Sequence, residues 1–139
     1  MIVASDRLGE LDCDEQAILS FPNGLLGFEE HTRFAVVAAD EDGSYSWLQS
    51  LDDAALAFLA IVPTIFFPDY EPDVPDADAA ELGITDPSHV QLLALVTIGE
   101  QSVTANLLGP IVVNLRTRTA KQVVLSEQRY SVKAPLGEG

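Results

Sequence analysis

Short runs of apolar and β-branched residues, separated by Gly, Pro, Asp and Asn, recur along this chain at intervals of about 8–12 residues. This pattern is typical of an antiparallel all-β domain, because each run suits one strand and each break supplies turn residues. The predicted strands are Ile2–Ser5, Ala17–Phe21, Phe34–Ala39, Ser44–Ser50, Ala57–Val62, Val90–Ile98, Val103–Leu107, Ile111–Leu115, Gln122–Ser126 and Arg129–Val132.

The residues between the strands indicate turns. Pro22-Asn23-Gly24 combines a residue of fixed φ with one that accepts positive φ, Asp40–Gly43 suits a hairpin, and Gly109-Pro110 separates two apolar strands. The run Leu92–Val96 is apolar on both faces, which a sheet closed into a small barrel or folded into a sandwich would bury. Asp76–Gly83 predicts a short helix that ends at Gly83.

The length of 139 residues allows one domain with one core. We therefore predict a mainly β fold: an antiparallel β-barrel-like single domain, residues 1–139, with one or two short helices. Residues 126–139 are expected to form a loosely ordered C-terminal tail.

The charge is strongly acidic and unevenly distributed. Seven basic and 22 acidic side chains give a net charge of −15, and residues 1–115 carry 20 of the acids with only two of the bases. Such a surface repels nucleic-acid backbones and anionic lipid, so we expect neither as a direct partner. It attracts basic proteins by long-range steering.

The densest acidic segment is Asp69–Asp86, with seven acids and no base. Its start, Asp69–Asp76, places oxygens at alternate positions as a calcium loop does, but it lacks the mid-loop Gly and is stiffened by Pro72 and Pro75. A solvated acidic loop or a face for a partner explains it better, and no metal site is expected.

The sequence offers no signal for export or membrane insertion. No basic segment precedes an apolar run at the N-terminus, and the apolar stretch Ala54–Pro68 is interrupted and shorter than the roughly 20 residues that a spanning helix needs. Cys13 is the single cysteine and cannot form an internal disulfide. We expect a cytoplasmic protein.

No catalytic motif is present. Nucleophile elbows, phosphate-binding loops, dinucleotide fingerprints and zinc-protease motifs are absent from the sequence. The acids beside Cys13, Asp12 and Asp14, disfavour a reactive thiolate. We therefore expect no enzymatic activity and no cofactor.

Two further interpretations concern apolar and amide side chains. Trp47 and Phe66-Phe67 are most simply core residues, although Trp also anchors many interfaces. Asn106 and Asn114, in two strands flanking the Gly109-Pro110 turn, have side chains suited to pinning that turn.

A series of segments, taken in order, resembles the flagellar assembly factor FliW family over nearly the whole chain. These segments are Phe21-Pro22-Asn23-Gly24-Leu25-Leu26-Gly27-Phe28, Trp47-Leu48-Gln49-Ser50, Ala57-Phe58-Leu59, Phe67-Pro68-Asp69-Tyr70, Leu82-Gly83-Ile84, Thr104-Ala105-Asn106-Leu107 with Pro110-Ile111-Val112-Val113-Asn114, and Gln122-Val123-Val124-Leu125. The chain departs from the family at Ile61–Thr64, where a polar residue usually precedes the proline, and at Ala54-Ala55, where a proline is common.

The resemblance implies a β-barrel-like domain without enzymatic activity and with two protein partners in the bacterial cytoplasm. One is flagellin, which such a protein would bind in a chaperone-like way. The other is the RNA-binding translational regulator CsrA, whose repression of flagellin synthesis it would relieve. We expect a monomer when the protein is free. The alternatives are a small-ligand-binding β-barrel, an unrecognised enzyme and a generic acidic protein-interaction domain.

The residues expected to contact partners follow from this reading. They are the acidic-segment residues Asp69, Tyr70, Glu71, Asp73, Asp76 and Asp78, together with Trp47, Asn106, Ile111, Val113 and Asn114.

Overall fold

Strands dominate the computed structural model, which describes residues 1–126 and 129–136. The strands are β1 (Ile2–Ser5), β2 (Gly9–Asp12), β3 (Ile18–Ser20), β4 (Arg33–Ala38), β5 (Tyr45–Ser50), β6 (Ala57–Ile61), β7 (Val90–Ile98), β8 (Val103–Ala105), β9 (Ile111–Asn114), β10 (Thr119–Gln122) and β11 (Ala134–Pro135). The helices are α1 (Pro63–Phe66), α2 (Asp76–Glu81) and two single 3-10 turns, Glu15–Ala17 and Pro87–His89. The mainly β prediction is confirmed.

Seven strands close into a barrel in the order β7-β6-β5-β4-β3-β10-β9, and β9 returns to β7. All of these pairs are antiparallel except β3–β10, which is parallel and joins Ser20 to Thr119. β8 pairs with the C-terminal end of β7, and β11 pairs with β8. β1 and β2 form a separate hairpin.

Alternation along the strands divides the apolar side chains between the barrel interior and its outer wall. Ile111 and Val113 of β9 point inward, and Phe21 packs edge-on against Phe34 with ring centroids 5.4 Å apart. Val112, between the inward pair, packs outside in a cluster with Leu82, Val123 and Leu125. A second outer cluster contains Ile61, Tyr70, Ala94, Ala105, Leu107 and Ala134.

The strand after β9 lies earlier than the pattern predicts. β10 covers Thr119–Gln122, whereas we expected Gln122–Ser126. A tight turn with Arg118 at φ 61° brings the chain back against β9 at Thr119. Val123 and Leu125 still donate backbone hydrogen bonds, to Pro110 and Leu108, but the ladder has ended before them.

Other boundaries also differ from the prediction. The expected strand Arg129–Val132 consists of turn and irregular backbone, and the pairing with β8 comes from β11 instead. β2 escaped prediction because its sequence, Gly-Glu-Leu-Asp, has one apolar residue. The helix α1 was not predicted because it lies within an apolar run. Pro63 occupies its first turn, where proline is compatible with a helix.

The predicted turn residues lie between elements as expected. Gly24 and Gly43 adopt φ of 67° and 77°, and α2 is followed by Gly83 at φ 70°. Gly109-Pro110 separates β8 from β9, which both pair with β7 and not with each other. No helix among the described residues combines the length and apolar character needed to cross a bilayer.

Part of the C-terminal segment, within the described residues, pairs with β8. Ala134 is buried, and the Leu136 backbone N–H donates to the Val103 carbonyl at 2.9 Å. The part of the predicted tail at residues 127–128 and 137–139 lies outside the described residues.

We predict that Gly24→Ala destabilises the protein far more than Gly43→Ala. Both glycines have positive φ, but a Cβ at Gly24 would lie 2.5 Å from the Glu29 Cα, whereas one at Gly43 meets nothing within 4 Å. Positive φ alone costs an alanine about 1–2 kcal/mol, so the additional loss at Gly24 reports the backbone contact. Urea denaturation of both variants measures this difference, and equal losses would contradict the prediction.

Candidate partner-binding site

The acidic segment runs along the outside of the barrel from α1 to the end of α2. Its carboxylates at Asp69, Glu71, Asp73, Asp76 and Glu81 are exposed, and Asp78 is half-buried. We call these side chains the acidic face. Whether it can serve as a binding surface depends on how firmly the backbone beneath it is held.

Tyr70 fixes the first half of the acidic face. Its side chain is 4% exposed, and its hydroxyl donates a 2.6 Å hydrogen bond to the Leu107 carbonyl. The Tyr130 ring packs edge-on against it, with centroids 4.7 Å apart, and the Tyr130 hydroxyl accepts a hydrogen bond from the Glu71 N–H. Arg129 donates to the Glu71 carbonyl. Tyr70 is therefore an anchor beneath the face.

Lys121 of β10 fixes the second half. Its ammonium group contacts the Asp78 carboxylate and lies 2.9 Å from that of Glu81. The hydrogen bonds that Lys121 donates, first to Asp78 and then to Glu81, raise the pKa of Lys121 above its usual value. Asn23 donates to the second oxygen of Glu81, and Asn114 donates to the Leu82 carbonyl at 2.8 Å. α2 is thus clamped to the barrel although it spans only six residues.

This pairing removes part of the charge that the sequence placed on the acidic segment. Asp78 and Glu81 share one lysine, 43 and 40 residues away in the chain, which offsets one of their two charges, while Asp69, Glu71 and Asp76 direct carboxylates to solvent. Among the described residues, no group of three or more His, Cys, Asp or Glu side chains is arranged to hold a metal ion. The face can act by charge on a basic surface.

The apolar residues expected at a contact surface lie elsewhere. Ile111 and Val113 are 0% and 2% exposed in the barrel core, so they present no surface in this fold. Trp47 is half-buried on the outer side of β5, and the Arg7 guanidinium covers its ring at 4.6 Å from the centroid. Phe66 and Phe67 pack partly buried against the cluster around Tyr70.

Amide side chains from the quoted motifs hold loops. Asn106 accepts hydrogen bonds from the N–H groups of Leu108 and Gly109, as expected for pinning the turn. Asn114, 1% exposed, pins the following turn at Arg116 and Thr117 instead. Fully buried Gln49 directs its amide N–H groups at carbonyls between residues 50 and 56.

A second surface feature is a groove with a volume of about 320 Å³, lined by apolar side chains together with Thr97, Asn106 and Gln122. We call it the mouth groove. Its lining residues are Leu25, Leu26, Phe28, Phe58, Leu95, Val96, Thr97, Asn106, Gln122 and Val132. None of these side chains is charged, and Asn106 is the one member that we had expected to contact a partner.

The other groove residues were not predicted as a surface. Leu26, Phe28 and Val132 are 56%, 38% and 52% exposed, and the fold brings all three to the same groove. One signal was available in the sequence, since the apolar pair Leu25-Leu26 stands between the turn glycines Gly24 and Gly27. Val132 is more than 100 residues from this loop and joins it only through the fold.

Comparison with known proteins places this architecture among flagellar assembly factors. A crystal structure of the flagellar assembly factor FliW superimposes with a TM-score of 0.89 at 35% identity, covering 99% of this chain and 98% of that one. Flagellar assembly factors FliW from Bacillus velezensis and Leptospira interrogans are 39% and 38% identical over 100% and 98% of the chain and 99% and 93% of their own lengths.

The model of the FliW protein family matches residues 2–136. The chain therefore belongs to the FliW family, as the motif resemblance indicated.

We predict that the Lys121 ion pairs stabilise the fold at neutral pH and lose this effect in alkali. Because the folded-state pKa is raised above 10.5, the contribution is complete below about pH 10.5 and declines as pH rises through the folded value. Lys121→Met should cost no more than about 1 kcal/mol at pH 8, because the pair is partly exposed and screened by solvent.

Urea denaturation of wild type and Lys121→Met at about pH 8 and pH 11 tests this prediction, with Lys133→Met as the control for removal of an exposed lysine. The difference between wild type and Lys121→Met should shrink at the higher pH. A difference that stays constant or grows would contradict the assignment.

Proposed function

We propose that this protein binds flagellin and the translational regulator CsrA in the bacterial cytoplasm, and that it antagonises CsrA. Flagellin that accumulates would occupy the protein and release CsrA, which would again repress flagellin translation. Secretion of flagellin would reverse this exchange. The protein would then couple flagellin synthesis to flagellin export without catalysing a reaction.

Membership of the FliW family is the observation that carries this proposal. Relatives that share more than a third of their residues with this chain over almost its full length are named flagellar assembly factors.

The electrostatics support a basic second partner. An RNA-binding regulator carries positive charge to meet phosphates. The chain has a net charge of −15, and the exposed carboxylates of Asp69, Glu71 and Asp76 stand on a backbone that Tyr70 and Lys121 hold in place. A fixed array of like charges raises the association rate with a complementary surface.

The barrel interior argues against a small-ligand carrier. Leu19, Phe34, Leu48, Leu93 and Ile111 fill it with side chains that are at most 7% exposed. A ligand-binding barrel instead keeps a cavity lined by apolar side chains with a few convergent polar groups. The open surfaces of this chain suit macromolecular partners better.

We predict that the purified protein forms a stoichiometric complex with its cognate flagellin. Size-exclusion chromatography of a mixture, with flagellin held monomeric, should give one peak that elutes before either component. Two unshifted peaks across the micromolar range would remove the flagellin half of the proposal.

We predict that the triple substitution Asp69→Asn, Glu71→Gln, Asp76→Asn slows association with CsrA and flattens the salt dependence of the rate. Dissociation should change little, because exposed charges act mainly on the encounter. These three residues are chosen because Asp78 and Glu81 already serve Lys121.

The control is a second triple variant, Glu10→Gln, Glu15→Gln, Glu41→Gln, which removes the same charge from exposed positions outside the acidic segment. Surface-immobilised kinetics at several ionic strengths compare the two variants. If both slow association equally, only the overall field matters. That result would overturn the assignment of the acidic face as the CsrA-facing surface.

A further inference from the structure

Residues 74–84 run along the outside of the barrel between two anchored points. They begin after Glu71, whose backbone is bonded to Tyr130 and Arg129, and they end shortly before β7. We call residues 74–84, which include α2, the strap. We propose that the strap opens independently of the barrel and that Lys121 sets how often it opens. This device requires neither of the proposed partners.

The helix within the strap has little stability of its own. α2 spans only six residues, and an isolated helix of that length does not persist in water. No side chain caps its N-terminus, and its last turn carries Glu81 and no basic residue, although the helix dipole favours a cation there. No residue of α2 is buried. The strap therefore keeps its structure only while the barrel holds it.

Polar side chains of the barrel hold the strap near the C-terminal end of α2. Lys121 of β10 donates to the carboxylates of Asp78 and Glu81. Asn114, at the end of β9, donates to the Leu82 carbonyl at 2.8 Å. The Lys121 ion pairs exist only while the strap is closed, so this lysine favours the closed state.

Leu82 supplies the apolar attachment of the strap. It is 5% exposed and belongs to the outer cluster with Val112, Val123 and Leu125, which are at most 4% exposed. Opening would withdraw Leu82 from this cluster and bring water to its neighbours. Because burial of apolar area stabilises the closed state, that state predominates.

Opening would exchange one kind of surface for another at the same place. The closed strap displays Asp76 and completes the second half of the acidic face. The open strap would release these carboxylates from fixed positions and uncover apolar side chains of β9 and of the segment after β10. Such local opening requires less free energy than global unfolding, because fewer contacts are broken.

Native-state amide hydrogen exchange, followed residue by residue by NMR, tests the opening. The N–H groups of Ala79, Leu82 and Ile84 donate to carbonyls near or within the strap and report on it, and the amides of β9 report on the barrel. The strap amides should exchange faster and depend less on urea concentration, since opening exposes less surface than global unfolding. The same urea dependence in both groups would overturn the proposal.

Val36→Ala separates opening of the strap from unfolding of the barrel. Val36 packs against the barrel interior from β4, which β3 and β10 separate from β9. The smaller side chain should accelerate exchange of the β9 amides through global unfolding and leave the strap amides unchanged. Equal acceleration of both groups would mean that the strap opens only when the barrel unfolds.

Lys121→Met tests the role of the lysine. Exchange of the strap amides should rise about fivefold over the wild type at low salt, as expected for loss of partly exposed ion pairs. This ratio should fall toward one in about 1 M NaCl, because salt screens the charges. Lys121→Arg, which keeps the charge, should stay close to the wild type.

Lys133→Met is the matched control, since it removes the same charge from an exposed position outside the strap. It should leave the strap amides unchanged. Equal exchange of the strap in Lys121→Met and Lys133→Met, or a ratio that does not fall with salt, would overturn the role of Lys121. Loss of flagellin or CsrA binding in separate experiments would overturn the proposed function and leave these exchange results as they are.

Discussion

The fold depends on the pairing of β7 along both of its edges. One edge of this nine-residue strand binds β9 through Val90–Leu93 and β8 through Val96–Ile98, and the other binds β6 at Ala94 and Leu95. The pairing with β9 covers one edge of β7 over its first half, which removes that edge as a site for edge-to-edge association. The C-terminal end of β7 extends past its pairing with β9 and pairs with β8, which in turn pairs with β11.

Both surface features follow from that arrangement. The departure of β7 toward β8 ends its ladder with β6 and leaves the mouth groove between them. On the outer wall, Ala94 of β7 and Ala105 of β8 are small residues, and the aromatic ring of Tyr70 packs in the cluster that they help form. The tyrosine then holds the start of the acidic segment against the barrel.

Buried polar side chains convert loops into fixed surfaces. Three such side chains are at most 4% exposed: Gln49, Asn114 and Tyr70. Gln49 donates to backbone carbonyls of the loop that follows its own strand. Asn114 donates to the Leu82 carbonyl and Tyr70 to the Leu107 carbonyl, both far away in the chain. Buried polar groups are tolerated where their hydrogen bonds are made, and breaking such bonds costs more than an average contact. Tyr70 and Asn114, which we had expected to contact partners, hold loops in the structure.

The difference between the acidic face and the mouth groove gives the protein two chemically distinct surfaces. The acidic face carries carboxylates on a backbone held by Tyr70 and Lys121, whereas the groove has no charged lining residue. A surface discriminates between two partners best when it also disfavours the wrong one. Unpaired charges and polar groups that lose water without gaining a hydrogen bond both have this effect. Lys121 limits how acidic the face is, because it pairs with Asp78 and Glu81 from the opposite end of the chain.

The sequence by itself determined the fold class, most strands and the turns at Gly24, Gly43 and Gly83, because alternation and turn chemistry are local properties. It also identified the family, through short segments in order. It placed β10 too late and missed β2 and β11, because the end of a strand depends on the partner that pairs with it. Only the tertiary structure decided which apolar residues are accessible. Ile111 and Leu26 are equally apolar, yet one fills the barrel and the other lines its mouth, because that difference arises from contacts between residues far apart in the chain.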